Sequence, residues 1–177
     1  MTATNFEGED AISLLAKQLQ SLKTRDDIEI NRRATMYRNC FVGIEKVVTA
    51  GGNMHNKFEP GNSLFLAICE AYHHLPMKHK VKKITTKQFL KVLKVIVLAG
   101  YTPRKEDLAA LKHKSIATDA TALHSWITDI SVNGFSLKQS CRIKIRSVLV
   151  EPLYCSIKSP ALRLTSHYKD YLHMEAL

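Results

Sequence analysis

Cys69 and His73 stand four residues apart, with His74 and His79 close behind, a spacing that on a helix brings a thiol and an imidazole to one face. That is the beginning of a zinc site, but zinc needs four ligands in order, and this spacing matches no familiar ligand pattern. The segment reads instead as a solvated basic loop, and no metal is expected. Four cysteines, Cys40, Cys69, Cys141 and Cys155, lie far apart without a CxxC pair. In a reducing compartment they read as small buried hydrophobes rather than disulfides. The chain carries no Gly-rich phosphate loop, no GxSxG, no HExxH and no paired carboxylates in an apolar setting. No catalytic or cofactor-binding residue is assigned, and the expectation is a protein that acts by binding.

The other conspicuous chemistry is cationic. Lys78, Lys80, Lys82, Lys83, Lys87, Lys91 and Lys94 form a basic tract in a chain whose 26 Lys and Arg outnumber 16 Asp and Glu, for a net charge of +10. Such a tract can neutralise phosphates. No aromatic residue interleaves with it to stack bases except Phe89, which belongs to an apolar helix face. An acidic protein is therefore the preferred partner, and a stand-alone helical module binding an acidic protein or nucleic acid through this Lys/His-rich surface is the alternative reading of the chain.

These residues must be carried by some fold. At 177 residues, 45% hydrophobic and 24% charged, the chain is globular, one domain or one domain with an appendage. The longest apolar run, Val95 to Ala99, stops at Gly100, far short of the ~18 to 20 residues that span a bilayer. No membrane is expected. The N-terminus has neither a basic start nor an apolar h-region, so the expected place is the cytoplasm, with the nucleus also open.

Residues 1–9 read as a flexible N-terminus. From Asp10 on, Ala11, Ile12, Leu14, Leu15, Leu19 and Leu22 fall at helical spacing, and a second helix start is expected at Thr24, with Asp26 and Asp27 in its first turn. The chain then repeats itself: residues 39–51 and 88–100 both place an apolar pair, Val47-Val48 and Val95-Ile96, before a closing Ala-Gly. Between them Gly61 to Ala67 opens another helix, and Leu123, Trp126, Ile127 and Ile130 make a further apolar face before the turn dipeptide Asn133-Gly134. No strand pattern competes, so the expected fold class is all-α.

The repeated segment resembles ankyrin repeats, with Ser63 to Ala67 standing where Pro-Leu-His-Leu-Ala opens the first helix of such a repeat. The closing glycines are 49 residues apart rather than ~33, so the resemblance implies an insertion of about 16 residues, placed as an exposed loop near 72–87. It also implies that Asn53, His55, Phe58, Lys78, Lys80, Lys82 and Lys83 are candidates for contact with a target.

Beyond Gly134, Ser136 and Gln139 have capping-box spacing, which makes Leu137 the start of a helix with Leu137, Cys141 and Ile145 in one stripe. Ile143 and Leu149 or Val148 face elsewhere, and a short helix with two apolar sides needs two things to pack against, its own domain and a partner. Ser136, Leu137, Cys141 and Ile145 closely resemble the elongin-binding box of SOCS-box proteins, in the form found in ankyrin repeat and SOCS box proteins. Leu162 to Leu172 is similar to that family's closing segment, although Arg163 and Thr165 stand where it has prolines, which leaves the choice of cullin open.

The resemblance implies a short ankyrin-like hairpin array over 10–132 and a three-helix SOCS box over 133–177. The implied function is that of a non-catalytic substrate adaptor of a cullin-RING ubiquitin ligase. Its elongin B and elongin C contact would use Ser136, Leu137, Cys141, Ile145 and Leu149. Its cullin scaffold, with the RING subunit, would meet Leu162, Leu164, Tyr168, Tyr171 and Leu172.

Overall fold

The computed structural model describes residues 11–24, 29–50, 63–75, 79–112, 114–148 and 165–173. Among them every element is helical: α1 (Ala11–Lys23), α2 (Ile30–Thr49), α3 (Leu64–His73), α4 (His79–Leu98), α5 (Lys105–Leu111), α6 (Lys114–Asn133), α7 (Leu137–Val148) and α8 (Ser166–His173). The first six form a two-layer stack of helical pairs. Helices α1, α3 and α5 follow one another in one layer and α2, α4 and α6 in the other, while α1 packs on α2, α3 on α4 and α5 on α6.

The burial patterns follow from these places. Helix α1 closes one end of its layer and buries a single stripe, Ile12, Ala16, Leu19 and Leu22. Helix α3 lies in the middle and touches five others, so it is apolar nearly all round: Leu64, Phe65, Ala67, Ile68, Cys69, Ala71 and Tyr72 are buried. Tyr72 stacks on Phe89 of α4 at 4.1 Å between ring centroids, and Phe89 in turn meets Phe41 of α2 at 6.4 Å, which ties the two layers together. The Tyr72 hydroxyl is hydrogen-bonded to Thr86.

A polar joint links α3 to α5. Ser63 caps α3, its Oγ accepting from the Leu66 N–H at 2.9 Å and donating to Asp107 Oδ1 at 2.6 Å. The other Asp107 oxygen accepts from the Tyr101 hydroxyl and the Arg104 N–H, both at 2.8 Å, so a carboxylate only 1% exposed has every near donor directed at it. Asp107→Ala should therefore lower stability by about 2 to 4 kcal/mol, because it strands one buried and two part-buried donors at once. Urea denaturation checks this, and a midpoint equal to that of the unchanged chain would show that the joint contributes nothing.

Two expectations need correction. The stretch 72–87 is not a loop: α3 runs to His73 and α4 already begins at His79. In sequence Val81 and Ile84 continue the apolar spacing of Phe89, Val92 and Ile96 toward the N-terminus, and the lysines between them obscured the period. Helix α2 likewise starts at Ile30, after Glu29, rather than at Thr24. The Thr24 hydroxyl donates back to the Ser21 carbonyl at 3.1 Å, so Thr24 finishes α1 instead of capping α2. Asp26 and Asp27 lie outside the described residues.

Candidate functional site

Gly134, at φ +75°, turns the chain out of α6, and the Ser136–Gln139 pair then starts α7. The Gln139 N–H donates to Ser136 Oγ at 3.3 Å while the Ser136 N–H donates to Gln139 Oε1 at 3.1 Å, the reciprocal box anticipated from the spacing. Leu137 is thereby the first helical residue.

The helix has two faces of opposite fate. Leu137 is 81% exposed, Ile145 is 44% exposed, and Cys141 between them is exposed as well. This row at i, i+4 and i+8 is apolar and bare, although burying a large aliphatic side chain is worth ~1.5 to 3 kcal/mol. The opposite side, formed by Arg142, Ile143 and Arg146, lies on the ends of α2 and α4.

The chemistry of that inner side is unusual for a helix contact, because among the described residues two guanidiniums do the work without a carboxylate. Every helix leaves its last carbonyls without intrahelical donors. At the end of α4, Gly100 at φ +111° lets the Tyr101 N–H reach back to the Ile96 carbonyl at 3.2 Å and the Gly100 N–H reach that of Val97 at 3.0 Å. The Leu98 carbonyl remains, and Arg142 Nη2 donates to it at 3.0 Å. Arg146 Nη2 donates to the Val48 carbonyl at the end of α2 at 2.8 Å, and its Nη1 donates to the Leu172 carbonyl at the end of α8 at 2.5 Å. The negative ends of three helices thus surround two cations, Arg142 buried and Arg146 half-buried.

Ile143 completes the fit: a Cβ on Gly100 would stand a tight 3.0 Å from its Cγ2, so close approach adds to the positive φ in favouring glycine there. Burial pulls the Arg142 pKa down, and burial together with the neighbouring Arg142 brings that of Arg146 down to about 10, which leaves it charged at neutral pH.

Helix α8 is held against α7 from the other side. The Tyr171 hydroxyl donates to the Lys138 carbonyl at 2.9 Å, and its ring receives Lys138 Nζ at 4.7 Å and the Arg142 guanidinium at 4.9 Å from its centroid. Between the helices lies a groove of about 420 Å³, with Cys141 and Ile145 from α7 and His167 and Tyr168 from α8 among its walls. Leu172 is only 3% exposed and Tyr171 is half-buried, so two residues expected to meet a cullin are engaged within the chain; Tyr168, at 58%, is the exposed member of that set.

Of the elongin-binding set, Ser136, Leu137, Cys141 and Ile145 are gathered on one helix, while Leu149 lies outside the described residues, as do Leu162 and Leu164. Asn53, His55, Phe58 and Lys78 also lie outside them, and Lys80, Lys82 and Lys83 belong to α4 without a described side chain. Cys69 is in the core whereas His73, one turn on at the end of α3, is exposed. Among the described residues no three His, Cys, Asp or Glu gather as a metal-ligand set. Burial pushes the Cys40 thiol up to about 11 and the Cys69 thiol higher still, which keeps both protonated and poor nucleophiles. Also among the described residues, no helix is long and apolar enough to cross a membrane.

The sequence by itself assigns no anchoring role to Arg142 and Arg146. Their one signal is the i, i+4 spacing about Ile143, on the side of α7 away from Leu137. Compared with protein-family models, with curated proteins and with solved structures, the chain finds no match.

Proposed function

We propose that the chain is a non-catalytic substrate adaptor of a cullin-RING ubiquitin ligase. In this reading α7 and α8 are parts of a SOCS box, and the stacked pairs α1 to α6 are an ankyrin-like array that presents a target. The observation that carries the reading is the bare stripe of Leu137, Cys141 and Ile145 on a helix whose other side is firmly seated. An apolar row at i, i+4 and i+8 suits helix-in-groove recognition, and elongin C of the elongin B–elongin C heterodimer supplies the groove. A cullin with its RING subunit docks beside it, in the cytoplasm or nucleus, and the transfer of ubiquitin in signal transduction is done by those other subunits.

Co-expression with elongin B and elongin C tests the proposal. The chain alone should self-associate through its bare stripe, whereas the three proteins together should elute as one soluble complex. A monodisperse monomer that ignores both elongins would remove the adaptor reading.

A further inference from the structure

The chain's net charge is concentrated in two neighbouring helices. Helices α2 and α4 hold ten Lys and Arg against one Glu, a net of +9 out of the +10 of the whole chain. They lie side by side in one layer, joined by Phe41 against Phe89 and by Glu45, which accepts from Gln88 Nε2 at 2.5 Å and pairs with Lys91 at 2.7 Å. The single acid on either helix is therefore already engaged. Arg32, Arg38, Lys46, Lys87, Lys91 and Lys94 are all exposed.

Lys87, Lys91 and Lys94 form one row at i, i+4 and i+7, with rises of ~6 and ~4.5 Å between successive ammonium-bearing positions. Arg32 and Lys46, fourteen residues apart, mark a second row on α2. So many like charges along two packed helices repel one another and weaken the fold unless a partner neutralises them.

We propose that the exposed face of α2 and α4 docks an acidic helical segment of a protein, which on the adaptor reading is the target to be ubiquitylated. A helix with carboxylates at i, i+4 and i+7 has the same rise as the lysine row and can lie along it. Nucleic acid is disfavoured because, among the described residues, the exposed large apolar ones, Tyr168 included, lie on other helices and offer this face no stacking surface.

The test is fluorescence anisotropy at about 150 mM salt with a labelled helical peptide of about 20 residues carrying Glu at those positions, its Gln counterpart, and a labelled single-stranded oligonucleotide of about 20 nucleotides. The Glu peptide should bind at least about tenfold more tightly than the Gln peptide. Lys87→Glu, Lys91→Glu and Lys94→Glu combined should lose that advantage, whereas Lys105→Glu with Lys112→Glu, exposed on and beside α5, should keep it. The neutral triple variant with Gln at 87, 91 and 94 should lie between, and serves as the readout if reversal disturbs folding. Equal affinity for the two peptides, equal loss in both charge-reversed variants, or tighter binding of the oligonucleotide overturns the proposal, the last assigning the face to nucleic acid. Elongin capture is measured on the same preparations: its failure beside intact peptide binding would remove the adaptor reading and leave this surface standing.

Discussion

Leu137→Ala combined with Cys141→Phe should abolish capture of the elongin B–elongin C heterodimer while leaving the circular dichroism of the chain unchanged. Leu137 is 81% exposed, so truncating it opens no cavity in the free chain. The cost falls only on a complex in which the side chain is buried, where losing a Leu is worth about 2 to 5 kcal/mol, or roughly thirtyfold and more in affinity. Cys141 lies one turn on and is also exposed, so phenylalanine there fits the free helix, whereas on the adaptor reading it would overfill the part of the partner's groove that receives the thiol. Pull-down with elongin C and a helical spectrum from the same sample decide the matter. Undiminished capture would mean that this stripe is not the contact.

The second large effect belongs to the opposite side of α7. Arg146→Met removes two charge-assisted hydrogen bonds, to the Val48 and Leu172 carbonyls, each worth about 1.5 to 3 kcal/mol. Relief from burying a cation offsets part of this, for a net loss of about 2 to 4 kcal/mol. The freed carbonyls can find water only if α7 lifts, so undocking is expected rather than global unfolding. Hydrogen exchange should speed up in α7 and α8 while α1 to α6 keep their protection, and uniform loss of protection would refute this.

Arg146→Lys should recover only part of the docking, since an ammonium lacks the planar fork that serves two carbonyls. The contact should also be indifferent to pH between about 6 and 9. Folding lowers the Arg146 pKa to about 10, so the unfolded chain holds more protons only between that value and the ordinary guanidinium range. There stability from this group rises with pH, and below that window the contribution is flat.

The contrast between these two faces explains what could be read in advance. Caps and stripes are local, so Ser136 with Gln139 located the start of α7, and the spacing of Leu137, Cys141 and Ile145 identified a row that the helical fold leaves bare. The need for a second packing partner was legible too, because Ile143 is apolar on the far side. What escaped was chemistry against type. Arginine and aspartate read as surface residues, yet Arg142 and Asp107 are each 1% exposed, and their partners are backbone groups and hydroxyls brought together by the tertiary fold. The first half of α4 was hidden by its own lysines in the same way, as a helix heavy in charge looks like a loop until its neighbour is known.

The anchoring of α7 has a consequence for how sequences of this kind can diverge. Arg142 and Arg146 grip carbonyl oxygens, which every amino acid supplies, so the contact makes no demand on which side chains occupy positions 48, 98 and 172 beyond a helix ending there. Those positions are free to drift to suit their own cores, and a substitution at one requires no answering change at Arg142 or Arg146. Paired-mutation statistics, which detect contacts through compensating side chains, would therefore be blind to the joint that orients the exposed stripe.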